Sequence, residues 1–399
     1  MRTVTILGST GSIGTQALDV IERNPQALAV RALGAGGAKV ELLARQAAKF
    51  APEVVAVADA RAVDALGQAL RRECDGRPPE ILAGLRAMAE IAALAGTDVV
   101  LNGITGSIGL EPTLAALGSG ASLALANKES LVAGGSLVAA ALRRPGQIVP
   151  VDSEHSAIAQ ALASGRHRRG MTSPVVDGTS QVRRIILTAS GGPFRGRSRE
   201  ELADVTPRDA LAHPTWDMGP VVTVNSSTLM NKALELIEAA YLFDVEPDAI
   251  VPVVHPQSVV HSMVEFDDGS TIAQASPPDM RLPIALGLSW PERMSDVARP
   301  CAWDAPVAWT FEPLDSQTFP AVDLARSAVA ASPLHPAVLN AANEECVRAF
   351  LDGGLGYLGI VETVEAVLGE FSAPGEEGLD AVAEAERWAR ARANELMGV

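Results

Sequence analysis

The chain has 399 residues, 48% hydrophobic and 20% charged, with three cysteines and a net charge of −16; that length supports two or three domains, each with its own core. The acidic balance excludes general binding to nucleic acid or to an anionic membrane surface, because the long-range field repels phosphate polymers. Every long apolar stretch is broken by charge or glycine, a first strand from Thr3 leaves no room for a leader, and Cys74, Cys301 and Cys346 form no C-x-x-C pair, so the expectation is a cytoplasmic protein without disulfides.

From residue 1 to about 150, apolar runs alternate with helical patterns: Thr3 to Leu7, Ala29 to Leu33, Val54 to Val57, Asp98 to Leu101, Ser122 to Ala126 and Ile148 to Val151. Such alternation predicts a parallel sheet wrapped by helices. Between the first strand and first helix lies GSTGSIG, Gly8 to Gly14, with glycines spaced three apart rather than as G-x-G-x-x-G. Glycine there permits a tight turn and lets backbone N–H groups reach a pyrophosphate at a helix N-terminus, though the same residues could form a turn with no ligand. A near copy, GITGSIG, follows another strand at Gly103 to Gly109. After the second strand, Gly34 to Lys39 offers no carboxylate for a ribose 2′-OH, while Lys39 is near enough to help a 2′-phosphate; this favours NADP over NAD.

Residues 151–290 change to strand-like runs, Arg184 to Thr188, Pro220 to Val224, Val251 to Val254, Val259 to Phe266 and Thr271 to Ala275, interleaved with helices. The predicted fold class is therefore α/β: an N-terminal Rossmann-like parallel sheet (1–150), a central α+β catalytic domain (151–290), an extended linker (291–313) and a C-terminal helical bundle (314–399).

VPVDSEHSAI places Asp152 and Glu154 two apart, read as a strand end that sends both carboxylates to one face. In VNSSTLMNKALELIEAAYLF, one helical face is apolar, while Asn231, Lys232 and Glu235 share the other, one turn after Ser226 and Ser227 at the expected helix N-terminus. Hydroxyls, free N–H groups and a lysine there make an anion site; capping serines with a polar face are the plainer alternative. Ser190 with Gly191 and Gly192 forms a second candidate anion loop. HPTWDMG, carrying His213 and Trp216, reads as a loop able to close over a ligand. Asp152, Glu154 and Glu235 together would supply three hard oxygen ligands for Mg²⁺ or Mn²⁺, whereas the histidines show no zinc-like pairing.

These stretches, with LANKESLV (125–132), HPQSVVHSMVEF (255–266), PPDMRLPI (277–284) and LNAANE (339–344), resemble the 1-deoxy-D-xylulose 5-phosphate reductoisomerase family over nearly the whole chain. The resemblance implies an NADPH- and divalent-metal-dependent homodimer acting on a sugar phosphate. It implies that Thr10, Gly11, Ser12, Ile13, Gly36, Asn127, Glu129 and Gly219 contact the cofactor, and that Asp152, Glu154 and Glu235 bind the metal. Lys128 and Ser153 would meet the oxygenated carbons of the substrate, Ser190, Ser226, Asn231 and Lys232 its phosphate, and His213 and Trp216 would belong to the closing loop. The family carries a basic or amide residue near position 38, where this chain has Ala38. Other NADP-linked dehydrogenases and a non-catalytic NADP sensor are the rival readings; neither requires three converging carboxylates.

Overall fold

The computed structural model describes residues 1–212, 219–375 and 377–398. It begins with β1 (Arg2–Leu7), in which Val4, Ile6 and Leu7 are fully buried. A strand apolar on both faces belongs in the middle of a parallel sheet covered on both sides. Six more strands join it: β2 (Leu28–Ala35), β3 (Val54–Val57), β4 (Glu80–Ala83), β5 (Val99–Asn102), β6 (Ser122–Leu125) and β7 (Ile148–Pro150). All pair in parallel, in the order β4-β3-β2-β1-β5-β6-β7. The connecting helices are α1 (Ser12–Arg23), α2 (Val40–Phe50), α3 (Val63–Glu73), α4 (Ala87–Ala92), α5 (Leu110–Ser119) and α6 (Glu129–Ala141). Strand β4 has no counterpart in the sequence reading, because this edge strand is only half buried and its apolar run is no longer than Ile81 to Ala83.

The strand order reverses between β1 and β5, where an open α/β sheet forms a ligand crevice at the carboxyl ends of its strands. Both glycine loops lie there, in contact. Gly8 adopts φ +84°, and a Cβ on it would stand 2.6 Å from the carbonyl oxygen of Gly103. A Cβ on Gly14 would collide with the backbone of Gly8 and Ser9. The three-apart spacing thus lets the first turn of α1 fold tightly back onto the loop.

After β7 come α7 (Ser153–Leu162), β8 (Val182–Ala189), α8 (Pro207–Ala210), α9 (Pro220–Ser227), α10 (Met230–Phe243), β9 (Ile250–Val254), β10 (Val260–Phe266), β11 (Thr271–Ala275), α11 (Arg281–Ser289) and β12 (Glu312–Pro313). These strands form a mixed sheet, β11-β10-β8-β9-β12, parallel only between β8 and β9. Helix α11 packs into the first sheet's core through Ile284, Ala285 and Leu288. Four long helices end the chain: α12 (Ala321–Ala331), α13 (His335–Leu351), α14 (Tyr357–Glu370) and α15 (Leu379–Met397).

Pro220 to Val224, expected as a strand, is the start of α9. Its β-branched run favours a strand, but Pro220 at the first helical position and the burial of Thr223, Val224 and Asn225 fix a helix instead. Among the described residues, no helix is long and apolar enough to cross a membrane.

Candidate active site

One cavity of about 1050 Å³ lies between the carboxyl ends of the first sheet, the N-terminus of α7 and one face of α10. It is lined by Gly11, Ser12, Ile13, Lys128, Glu129, Asp152, Ser153, Glu154, Ser190, Gly219, Ser226, Asn231, Lys232 and Glu235 from the expected set. Thr10, Gly36 and Asn127 are not among its lining residues. His213 and Trp216 lie outside the described residues.

The acidic centre is built by two helices. Asp152 and Glu154 do not share one face of a strand end as expected; Asp152 is the N-cap of α7, accepting from the Glu154 N–H at 3.3 Å, and Glu154 occupies its first turn. The chain leaves β7 directly into that helix, and its positive end favours two carboxylates. Glu235 arrives from the middle of α10 and is 1% exposed. One oxygen from each of the three carboxylates falls within 4.8 Å of the others.

Cationic groups hold these charges together. Lys128 Nζ is 2.6 Å from Asp152 Oδ2 and 3.1 Å from Glu235 Oε1. Lys232 Nζ is 3.1 Å from Glu154 Oε1 and also donates to Glu235, as does the Asn231 amide. Burial opposes the charge on Lys128, but Asp152, Glu235 and Glu238 outweigh it and hold the lysine well above its ordinary pKa. Burial would lift Asp152; Lys128 and His155 instead hold it well below the usual carboxylate range. Burial, together with the Glu235 charge, pushes Glu154 up to about 7. Three acids drawn together against such a penalty are suited to a divalent cation coordinated by oxygen.

Beside the acids lie the residues of the candidate anion loop. Ser190 follows β8, and the next two glycines have φ +88° and +65°. A Cβ on Gly192 would stand 2.8 Å from the carbonyl oxygen of Ser226, so only glycine lets the two loops close on each other. Ser226 and Ser227 are not at the start of the α10 helix as expected: they end α9, and Leu229 with φ 60° breaks the chain between the two helices. Of the two, Ser226 lines the cavity, while Ser227 is buried and donates to the Val224 carbonyl at 2.7 Å. The one-helix reading missed this break because no glycine or proline marks it in the sequence.

At the other end, α1 presents Gly11 as an N-cap with no side-chain capping bond, leaving its first N–H groups free for a pyrophosphate. Asn127 is fully buried and spent on the protein: its amide donates to the carbonyls of Ile104 at 2.8 Å and Gly106 at 2.9 Å, and its oxygen accepts from Ser130. It shapes the second glycine loop. Sequence reasoning also gave no role to the cavity residues His261, Asp279 and Arg281, or to the buried His155 and Glu238 behind the acids. The quoted VDSEHSAI and ELIEA stretches contain the last two, but their spacing from the acids has meaning only once α7 and α10 face each other.

Three family models match the chain: 1-deoxy-D-xylulose 5-phosphate reductoisomerase over residues 4–135, that enzyme's C-terminal domain over 148–243, and a further DXP reductoisomerase C-terminal domain over 275–392. The 1-deoxy-D-xylulose 5-phosphate reductoisomerase of Beutenbergia cavernae is 64% identical over 398 residues, covering 99% of this chain and 97% of the relative. That of Pseudarthrobacter chlorophenolicus is 59% identical over 404 residues, covering 100% and 98%. Among solved structures, the Zymomonas mobilis enzyme in complex with NADPH superposes with a TM-score of 0.89 at 42% identity, covering 99% of each chain. A DOX-P reductoisomerase in complex with NADPH, fosmidomycin and magnesium gives 0.90 at 35% identity, covering 100% and 98%.

Proposed function

The chain belongs to the 1-deoxy-D-xylulose 5-phosphate reductoisomerase family, and from that premise we propose that it converts 1-deoxy-D-xylulose 5-phosphate to 2-C-methyl-D-erythritol 4-phosphate for isoprenoid precursor synthesis, using NADPH and Mg²⁺ or Mn²⁺. The observation that carries the reading is the meeting of Asp152, Glu154 and Glu235, from two distant segments, in the same cavity as the free N-terminus of α1.

The residues present fit both groups. Asp152, Glu154 and Glu235 offer hard oxygen donors gathered within 4.8 Å of one another, and the uncapped first turn of α1 at Gly11, Ser12 and Ile13 offers backbone N–H groups to a pyrophosphate. A cation held by Asp152, Glu154 and Glu235 would supply Lewis acidity to the sugar's oxygens, and NADPH would supply a hydride. The acids around Lys128 favour its charged form, which suits it to donate to a substrate oxygen. Ser190, Ser226, Asn231 and Lys232 hold the phosphate and set the register of the carbon chain over the acids. Ser153, whose hydroxyl donates to Glu154 at 2.5 Å, lines the cavity beside the acids and would meet a hydroxyl of the substrate. The overall change breaks and re-forms one carbon–carbon bond, giving a branched aldehyde, and then reduces it. Holding both fragments between the anion loop and the acids keeps them in place until the new bond forms.

Residues 1–150 serve the cofactor, 151–290 carry the metal and substrate groups, 291–313 connect, and 314–399 buttress the site, in a cytoplasmic homodimer. The decisive assay mixes the protein with NADPH, Mg²⁺ and 1-deoxy-D-xylulose 5-phosphate and follows loss of nicotinamide absorbance. Turnover that stops with a chelator and returns with Mg²⁺ or Mn²⁺ is expected; turnover indifferent to metal removal refutes the role of the three acids.

A further inference from the structure

Behind the acids, one helical turn further along each helix, lies a second pair. His155 sits three residues after Asp152 on α7, and Glu238 three residues after Glu235 on α10. Both are fully buried and absent from the cavity lining. The His155 Nε2 atom is 2.9 Å from the backbone carbonyl of Glu235, and a carbonyl only accepts, so this nitrogen carries a proton. The ring's other nitrogen, Nδ1, then points between Asp152 Oδ1 at 3.5 Å and Glu238 Oε2 at 3.4 Å. Phe243 stacks over the ring, with centroids 6.2 Å apart and planes 14° from parallel. Neither oxygen of Glu238 has a hydrogen-bond partner among the described residues. A buried carboxylate with no N–H or O–H partner is costly and persists where its charge serves a neighbour.

We propose that Glu238 is a positioning residue for the divalent-cation site, acting through His155. With no hydrogen bond at Nδ1, the hold is by charge: Glu238 at 3.4 Å and Asp152 at 3.5 Å draw the imidazolium between them, and its Nε2–H ties it to the Glu235 carbonyl, so the two helices present their acids in one register. Outer partners of this kind commonly change metal affinity 10- to 100-fold without touching the metal. The inference rests on the assignment of Asp152, Glu154 and Glu235 as ligands.

The test is Mn²⁺ binding to the full-length protein by electron paramagnetic resonance of free Mn²⁺, with no turnover required. Glu238→Gln, which keeps the shape and removes the charge, should weaken Mn²⁺ about 10-fold or more while NADPH binding stays within about two-fold. In a His155→Gln background the same change should add little, because the route through the ring is already broken. Unchanged Mn²⁺ affinity in Glu238→Gln overturns the proposal, as does a full additional loss in the double variant. Should Glu238→Gln fail to fold, Glu238→Asp carries the same reading: a shorter carboxylate that leaves Mn²⁺ affinity intact overturns it, and weaker Mn²⁺ with normal NADPH binding supports it. Asp152→Asn separates the two levels, since unchanged Mn²⁺ binding there refutes the ligand assignment itself.

Discussion

Replacing Gly8 with alanine should damage the cofactor site by an amount that the backbone geometry sets. Two costs add. Gly8 has φ +84°, a region where a Cβ costs about 1–2 kcal/mol. The new Cβ would also lie 2.6 Å from the Gly103 carbonyl oxygen and 2.9 Å from its carbon. Ordinary contact needs about 3.4 Å, so the loops must part by about 0.8 Å, and overpacking against backbone costs about 1–3 kcal/mol. The sum is about 2–5 kcal/mol, a large share of the stability of a typical domain. Because the strained turn opens directly into α1, part of the cost appears as displacement of the proposed pyrophosphate seat. The expected result is NADPH affinity lower by about 10-fold or more, measured by fluorescence titration, with a lower urea midpoint. Gly118→Ala is the control: it lies in α5 with nothing within 4 Å of an added Cβ, and should leave stability unchanged or raised by up to about 1 kcal/mol. Gly8→Ala protein with wild-type affinity and midpoint would refute the steric account of the loop.

Glu235→Gln should lower turnover about 100-fold or more yet leave NADPH titrations nearly unchanged; retained turnover counts against a metal role. Asn127→Asp turns an amide that donates to the Ile104 and Gly106 carbonyls into an oxygen facing oxygens, so the urea midpoint should fall by the equivalent of roughly 2–4 kcal/mol. His261, 6% exposed, is pushed down by burial to about 4. Its folded pKa lies below the unfolded value, so the proton favours the unfolded chain. The stability contribution is complete above pH 6.5 and is lost as pH falls toward 4, by about 3 kcal/mol at most. The stability gap between the wild type and His261→Gln should therefore narrow across that interval; a constant gap refutes the linkage.

Much of this protein is written locally. Alternating apolar runs announced the strands of the first sheet that are buried on both faces, and the glycine loop announced its helix, since both depend on neighbours within a few residues. The three acids, which the structure brings within 4.8 Å of one another, stood out as candidates because carboxylates are expensive to bury without purpose. Where long-range packing overrides local preference, the sequence misled: the β-branched start of α9 is a helix, and the break at Leu229 divides what reads as one helix.

The amino-acid sequence by itself determined which groups exist: the glycines of the two tight loops, the three carboxylates, and the serines and lysine proposed to hold an anion. Only the tertiary structure decided that Asp152 caps a helix, that Glu235 meets it from α10, and that Ser226 faces the cavity while Ser227 turns away. The physical reason is one of range: turn geometry and amphipathic spacing act over a few residues, whereas the meeting of α7 and α10 is set by packing between segments some eighty residues apart, such as His155 and the carbonyl of Glu235.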